Sequence, residues 1–328
     1  MSYNLAILGA TGHVGQKMIE ILEEKKLPID EIYFFASKRS AGNKIKFLNK
    51  DYEIIELTEE NLGKCKIDFA LSALDAKLSK EFSPVVAKNG GVVIDNSSAY
   101  RNEEGYPLIV PEINPEEAFK NKGIIASPNC STIQSVVSLE PLYKKYGIER
   151  IIYTTYQAVS GSGKNGTEDL NRGIKGEEPK FYPYPIAFNI LPHIDDFLDT
   201  GYTKEEIKMV NETRKIFGDN DLKITATAVR VPVYNSHCVA INVELKEHFE
   251  IEDIFEMYRN FPGIVLMDDV KNNVYPMPID TDGKDEVYVG RIRRDDSVEN
   301  GLNLWCVADN VRKGAALNTI QILELIAK

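Results

Sequence analysis

The chain reads as a two-domain α/β protein, a doubly wound parallel sheet followed by an α+β domain with a mixed sheet. Three observations carry that expectation. A continuous apolar run, Leu5-Ala6-Ile7-Leu8, enters Gly9-Ala10-Thr11-Gly12-His13-Val14-Gly15 and then a helical pattern through Met18, Ile19, Ile21 and Leu22. Strand, glycine turn and helix in that order open a Rossmann-type unit. Apolar segments at Ile67–Ala73 and Gly91–Asp95 flank a helical Leu78–Asn89, the βαβ rhythm of a parallel sheet. Past Arg150 the apolar segments lengthen and gain β-branched residues, which favours mixed or antiparallel pairing.

A chain of 328 residues can bury a sizeable core and divide in two. We expect residues 1–129 and 309–328 to form the nucleotide domain, with the last helix returning to it, and 130–308 to form the second domain. In that second part, strands are expected at Ile151–Val159, Ile224–Val233 and Cys238–Leu245, and a helix over Thr203–Phe217. Gly290–Arg294 and Leu302–Val307 read as a late hairpin. Arg312–Lys328 is an amphipathic helix with Ala316, Leu317, Ile320, Leu323 and Leu325 on its apolar face. Gly173–Pro192 holds four prolines and reads as an extended loop, either a plain connection or a site rim or subunit contact.

Charge and composition exclude several classes. A net charge of −11 and no long basic cluster argue against nucleic-acid binding. The opening Met1-Ser2-Tyr3-Asn4 lacks a basic region and a long apolar stretch, so neither a secretory leader nor a membrane span is expected. Four widely spaced cysteines, Cys65, Cys130, Cys238 and Cys306, with no C-x-x-C pair, fit a reduced cytoplasmic protein with no zinc site and no disulfide scaffold. No metal is expected.

The glycine spacing is G-x-x-G-x-x-G, one residue longer than the commonest dinucleotide fingerprint. It still allows close approach of a pyrophosphate to the helix N-terminus. The second strand, Glu31–Phe35, runs into Ala36-Ser37-Lys38-Arg39-Ser40-Ala41-Gly42. An NAD site would place an acid there for the ribose 2′-hydroxyl. Instead Arg39 offers a guanidinium fork and Ser37 and Ser40 offer hydroxyls, a set suited to a 2′-phosphate. The expected cofactor is NADP.

Cys130 lies in Ser127-Pro128-Asn129-Cys130-Ser131-Thr132, where a short strand, Gly123–Ala126, turns into a helical pattern. Ser131 and Thr132 can cap that helix. A sulfur at a helix start is favoured as thiolate, the form that attacks carbonyl carbon. Candidate partners lie in Arg230-Val231-Pro232-Val233-Tyr234-Asn235-Ser236-His237. A neutral His237 can take a thiol proton, and Arg230 can grip a carboxylate bidentately. Cys238, next along a strand, points to the opposite face and is expected to be packed. Gln157–Gly166 reads as a strand end followed by a glycine-rich loop, suited to the ribose or nicotinamide end of the cofactor or simply a surface loop. Glu205 and Lys208 share a helix face.

Taken in order along the whole chain, these segments, with Asn96-Ser97-Ser98-Ala99-Tyr100-Arg101 and Asp309-Asn310-Val311-Arg312-Lys313-Gly314-Ala315-Ala316, resemble the aspartate-β-semialdehyde dehydrogenases. The resemblance implies a Rossmann-type NADP-binding domain and a catalytic and dimerisation domain, in a homodimer or homotetramer. It implies Cys130 as acyl-forming nucleophile, His237 as acid/base, Gln157 orienting substrate and Asn129 supporting the site. Arg230 and Glu205 would bind the substrate's carboxylate and amine, and Arg101 and Lys208 phosphate. Gly9, Thr11, Gly12, His13, Val14, Ser37, Arg39, Ser40, Ser160, Gly161 and Asn310 would contact NADP. The implied reaction converts β-aspartyl phosphate to aspartate semialdehyde and phosphate through a Cys130 thioester. The family often has Gly-His where this chain has Ser236-His237. N-acetyl-γ-glutamyl-phosphate reductase, an archaeal-type malonyl-CoA reductase and a non-catalytic NADP sensor remain as alternatives.

Overall fold

The computed structural model describes residues 2–328. It contains two compact units, one running to Asn129 and taking in Ala315–Lys328, the other Cys130–Gly314.

In the first unit the elements are β1 (Tyr3–Leu8), α1 (His13–Lys25), β2 (Ile29–Ala36), β3 (Lys44–Phe47), β4 (Lys50–Glu53), β5 (Ile55–Glu56), α2 (Glu59–Lys64), β6 (Phe69–Ser72), α3 (Ala76–Lys88), β7 (Val92–Asp95) and β8 (Ile124–Ala126). Six strands form one sheet in the order β5-β2-β1-β6-β7-β8, and every pairing is parallel. Leu5, Ala6, Ile7 and Leu8 are fully buried, as a central strand covered on both faces must be. The chain leaves β1 first toward β2 and later toward β6, so the order reverses between them, where open α/β sheets bind ligands. The glycine turn emerges from β1 at that point. Gly9 has φ +87°, and a Cβ there would lie 2.9 Å from the Ala73 carbonyl oxygen, so only glycine fits. The C-terminal helix, Leu317–Ile326, buries Leu317, Ile320, Ile322 and Leu323 in this unit's core. It starts five residues later than expected, because Arg312–Ala316 forms a π-helical turn.

The β3–β4 hairpin was not expected from sequence. Its strands are dominated by charge, but Ile45 and Phe47 point inward. Phe34, Phe47 and Tyr52 meet there edge to face.

In the second unit the elements are α4 (Cys130–Tyr146), β9 (Ile148–Gln157), α5 (Gly163–Ile174), α6 (Lys204–Phe217), β10 (Lys223–Arg230), β11 (His237–Leu245), α7 (Ile251–Asn260), β12 (Ile264–Leu266), α8 (Pro278–Thr281), β13 (Val287–Asp295) and β14 (Gly301–Ala308). The sheet order is β10-β9-β11-β14-β13-β12. The outer pairs β10–β9 and β12–β13 are parallel and the rest antiparallel, the mixed sheet expected. Helix α4 packs on β9, β11 and β14 with α6 and α7 beside it. It is buried along most of its length. Two of its hydroxyls are absorbed by the helix itself: Ser135 donates to the Ser131 carbonyl and Ser138 to that of Ser135.

Helix α5 replaces part of the glycine-rich loop expected after Gln157. Three glycines in twelve residues argue against a helix, and tertiary contacts overrule them. Gly166 packs so closely that a Cβ would lie 2.4 Å from the Val159 carbonyl oxygen. From α5 the Asp169 carboxylate accepts the backbone N–H groups of Lys180, Phe181 and Tyr182. Burial opposes its charge, but these three bonds outweigh it and hold the carboxyl below its usual pKa. The proline-rich segment is thereby tethered at its start. Helix α6 begins at Thr203 with a complete capping box to Glu206. The second oxygen of Glu206 accepts Ala228 N–H at 2.9 Å, locking the helix to β10. Asp309–Gly314, expected with the first domain, belongs to the second unit. Asp309 accepts Gly283 N–H, and Asn310 accepts Ser236 N–H.

Candidate active site

Cys130 is the first residue of α4 and is partly exposed. Ser131 and Thr132, expected as caps, lie inside the first helical turn. Gly314 backs onto the cysteine: a Cβ there would be 2.8 Å from the Cys130 Cβ.

One turn further along α4, Gln134 donates through Nε2 to the His237 carbonyl at 3.0 Å. This buried amide ties the start of β11 to the face of α4 that carries Cys130, since positions i and i+4 share a face. The imidazole of His237 is fully buried. Its Nδ1 accepts the Ala158 N–H at 3.0 Å, so the neutral ring carries its hydrogen on Nε2. Nε2 has no protein partner. It faces Gly161, whose absent Cβ would come within 3.1 Å of it. Burial first, and then the Arg230 cation, hold the His237 pKa well below 6.5. The ring is therefore neutral across the physiological range. It was expected to take a thiol proton, but the nitrogen with the open lone pair is bonded to Ala158, and the free nitrogen is a donor.

Arg230, the last residue of β10, is 4% exposed. Its Nη1 donates to the Ala158 carbonyl at 2.7 Å, while its buried Nε has no partner. Ala158 thus fixes the imidazole through its N–H and the guanidinium through its C=O. The edge of the fork carrying Nε is not used by the protein's own acceptors. Gln157, at the end of β9, accepts the Thr155 hydroxyl at 3.0 Å and donates to Glu205 at 3.1 Å. Glu205 also accepts from Lys208 at 3.1 Å, and Lys208 donates to Asp195 at 2.6 Å. Asn310 and Ser160 hydrogen-bond each other at 3.0 Å, and Asn310 also holds the Ser236 N–H at 2.9 Å. Ser236 has φ +70°, the left-handed region that glycine enters without cost. The common Gly-His of the family is thereby accounted for. Cys238 and Cys306 are buried, and burial pushes their thiols up to about 12 and about 11, so neither is a nucleophile at neutral pH.

The first unit presents its own expected residues. Thr11, Gly12 and His13 are exposed at the start of α1, with Val14 half-buried. A Cβ on Gly15 would lie 2.3 Å from the Gly9 carbonyl oxygen, so this tight turn keeps the backbone bare for a phosphate group. Ser37 and Arg39 are exposed and Ser40 half-buried in a turn closed by Ser40 N–H on the Ser37 carbonyl at 2.8 Å. Arg101 is buried and donates to the Asn96 carbonyl at 2.9 Å. The preceding loop is shaped by buried Asp95, which accepts from Ser79 and Ser97. Asn129 is buried as well. Among the described residues no group of three His, Cys, Asp or Glu is placed to hold a metal ion, and no helix is long and apolar enough to cross a membrane.

Four residues at this site had not been singled out from sequence. Gln134 had a signal, a lone amide one turn beyond the cysteine. Thr155, Ala158 and Asp195 had none, because their roles depend on neighbours brought in by the fold.

Residues 4–121 match the family described as semialdehyde dehydrogenase, NAD binding domain, and residues 139–313 the semialdehyde dehydrogenase, dimerisation domain. Aspartate-semialdehyde dehydrogenase from Aquifex aeolicus is 51% identical over 100% of this chain and 99% of the relative. The chain belongs to the aspartate-semialdehyde dehydrogenase family. The crystal structure of the family's enzyme II from Vibrio cholerae in complex with ASA matches at TM-score 0.95 and 44% identity, covering 100% of this chain and 98% of that one. The enzyme from Candida albicans, solved with NADP, matches at TM-score 0.78 and 27% identity, covering 100% and 99%. Family membership extends over both units, so the dinucleotide fold and the mixed-sheet domain are those of the family.

Proposed function

We propose that this chain is an NADP-dependent aspartate-semialdehyde dehydrogenase. It reductively dephosphorylates β-aspartyl phosphate through a Cys130 thioester, in the route to lysine, threonine and methionine. The observation that carries the reading is the constellation in the second unit. A thiol at a helix start, a neutral imidazole donor, a guanidinium with a free edge and a carboxylate-bound amide come from four elements that interlock around Ala158 and Gln134.

The Cys130 thiolate attacks the acyl carbon, forming C–S as the C–O bond to phosphate breaks; the phosphate leaves with that electron pair and takes one proton from solvent. NADPH, held by the glycine turn and by Arg39, Ser37 and Ser40, supplies hydride when bound. Release of the aldehyde breaks C–S and returns the electron pair to sulfur, so this half of the cycle moves no proton on or off the enzyme. His237 then serves as an Nε2–H donor to negative charge on sulfur or oxygen. Arg230 grips the α-carboxylate, Glu205 takes the α-ammonium, and Gln157 fixes the acyl group between them, with Asn129 supporting the nucleophile. Arg101 and Lys208 are the proposed phosphate ligands. The second unit supplies the contact of a homodimer, and the reduced thiols suit the cytoplasm.

Oxidation of aspartate semialdehyde with phosphate and NADP, followed by nicotinamide absorbance, tests the reading. Activity confined to N-acetylglutamate semialdehyde or to a CoA acceptor would transfer the chain to another acyl-phosphate or acyl-CoA reductase. Arg39→Ala should raise the KM for NADP about tenfold or more and leave that for NAD nearly unchanged, because the fork meets only the 2′-phosphate. An equal rise for both cofactors would remove Arg39 from that role. Arg230→Lys should cut kcat/KM for aspartate semialdehyde by roughly 10–100-fold although the charge is kept, since a point charge cannot use the free planar edge. A change below about threefold would reassign the carboxylate.

A further inference from the structure

We infer that Asp195 sets the enzyme's selectivity for an amine-bearing substrate by drawing the Lys208 ammonium away from Glu205. The inference rests on the reading of Glu205 as the seat of the substrate ammonium. That reading has a difficulty, because Glu205 already faces a cation. Lys208, one turn along α6, lies 3.1 Å from it, and an i,i+3 pair left to itself would cancel its own charge.

Asp195 changes the count. Its carboxylate lies 2.6 Å from the same ammonium, closer than Glu205. These three side chains together hold two carboxylates against one ammonium, so attraction remains for a second cation. Asp195 is built to stay in place. It adopts φ +69°, uncommon for a side-chain-bearing residue, and its other oxygen accepts Asp196 N–H at 2.9 Å. The segment is pinned on both sides: Leu191 pairs with Arg230, and Lys204 N–H donates to the Asp196 carbonyl. On α6, the capping box and the Glu206–Ala228 bond fix Glu205 and Lys208. Gln157 donates to the Glu205 oxygen that Lys208 does not use. Burial opposes the charge of both Asp195 and Lys208, but it is outweighed: Glu205 and then Asp195 raise the amine, while the Lys208 and Asp196 hydrogen bonds leave the acid lower than usual. The neighbouring pair Lys204–Asp196 is more exposed and turns outward, so it serves as an internal control.

The readout is a ratio: kcat/KM for aspartate semialdehyde over kcat/KM for succinate semialdehyde, the same chain without the amine, at saturating phosphate and NADP. Asp195→Asn should lower that ratio by about five- to tenfold, the scale of one partly screened charge pair, through KM for the amine-bearing substrate. Asp195→Glu should restore most of it, and Asp196→Asn should leave it at the wild-type value. Adding Lys208→Gln to Asp195→Asn should bring selectivity back, because no ammonium is then left to cover Glu205. An unchanged ratio in Asp195→Asn overturns the inference, as does a fall in phosphate KM with the ratio intact, which would make Asp195 a competitor for phosphate on Lys208. Glu205→Gln separates the two levels. If it cuts the ratio while Asp195→Asn does not, only the role of Asp195 falls; if it leaves the ratio intact, the amine seat is misplaced and both readings fall.

Discussion

Cys130→Ser should lower kcat by at least about a thousandfold, some 4 kcal/mol of barrier, while NADP still binds. The serine hydroxyl is isosteric but scarcely ionised near neutrality, and the helix start favours an anion only where an anion can form. The glycine turn belongs to a different unit from Cys130, so the substitution leaves the dinucleotide fold untouched. No other thiol can stand in. Cys238 and Cys306 are buried with their pKa raised to about 12 and about 11, and Cys65 is also raised by burial. Two measurements decide it: kcat in the oxidative direction, and NADP affinity by titration calorimetry. Retention of more than about a tenth of wild-type kcat, less than 1.4 kcal/mol, would remove Cys130 from the chemistry.

The sheet-forming segments were legible because their signals are local. Leu5–Leu8 and Val92–Asp95 are apolar runs bounded by glycine or polar turns, and both are strands. The helix expected over Thr203–Phe217 is α6, which Thr203 caps at its start and Gly218 at its end. Where local and tertiary signals disagree, the tertiary one decided. Glycines suggested a loop running to Gly166, yet a helix starts at Gly163 and is supported by buried Asp169 and Leu170. Charged Lys44–Phe47 and Lys50–Glu53 hid a hairpin whose inward residues join an aromatic cluster.

The site divides in the same way. Cys130, His237 and Arg230 were visible because nucleophile, imidazole and guanidinium are distinctive residue types. Their interlock was invisible, because the peptide of Ala158 makes it and a backbone group leaves no mark in sequence. The orientation of His237 was hidden for that reason. Glu205 and Lys208 showed only that they share a face. The third member of their cluster, Asp195, lies just past the proline-rich loop, 13 residues before Lys208, and adopts a left-handed backbone conformation.

His237→Ala should cost about a hundredfold or more in kcat, the range for losing a preorganised donor, whereas His237→Gln should retain activity within about tenfold of wild type. A glutamine amide can place an N–H near Nε2 but cannot shuttle a proton. With Nδ1 held by Ala158 N–H and Nε2 carrying the hydrogen, donation is the service the neutral ring offers. The kcat profile should show no step near pH 6.5 from this group, since burial and Arg230 hold its pKa well below that. Stability should respond in the opposite region. The unfolded chain binds a proton on His237 below about pH 6.5 and the folded chain does not, so folding loses stability as pH falls through that value and is unaffected above it. Denaturant unfolding at pH 7.5 and 5.5 should therefore show a smaller acid loss in His237→Gln than in wild type. If the glutamine variant proves as inactive as alanine while NADP affinity and Cys130 alkylation persist, His237 transfers a proton after all, and the ring must turn away from Ala158 to do so.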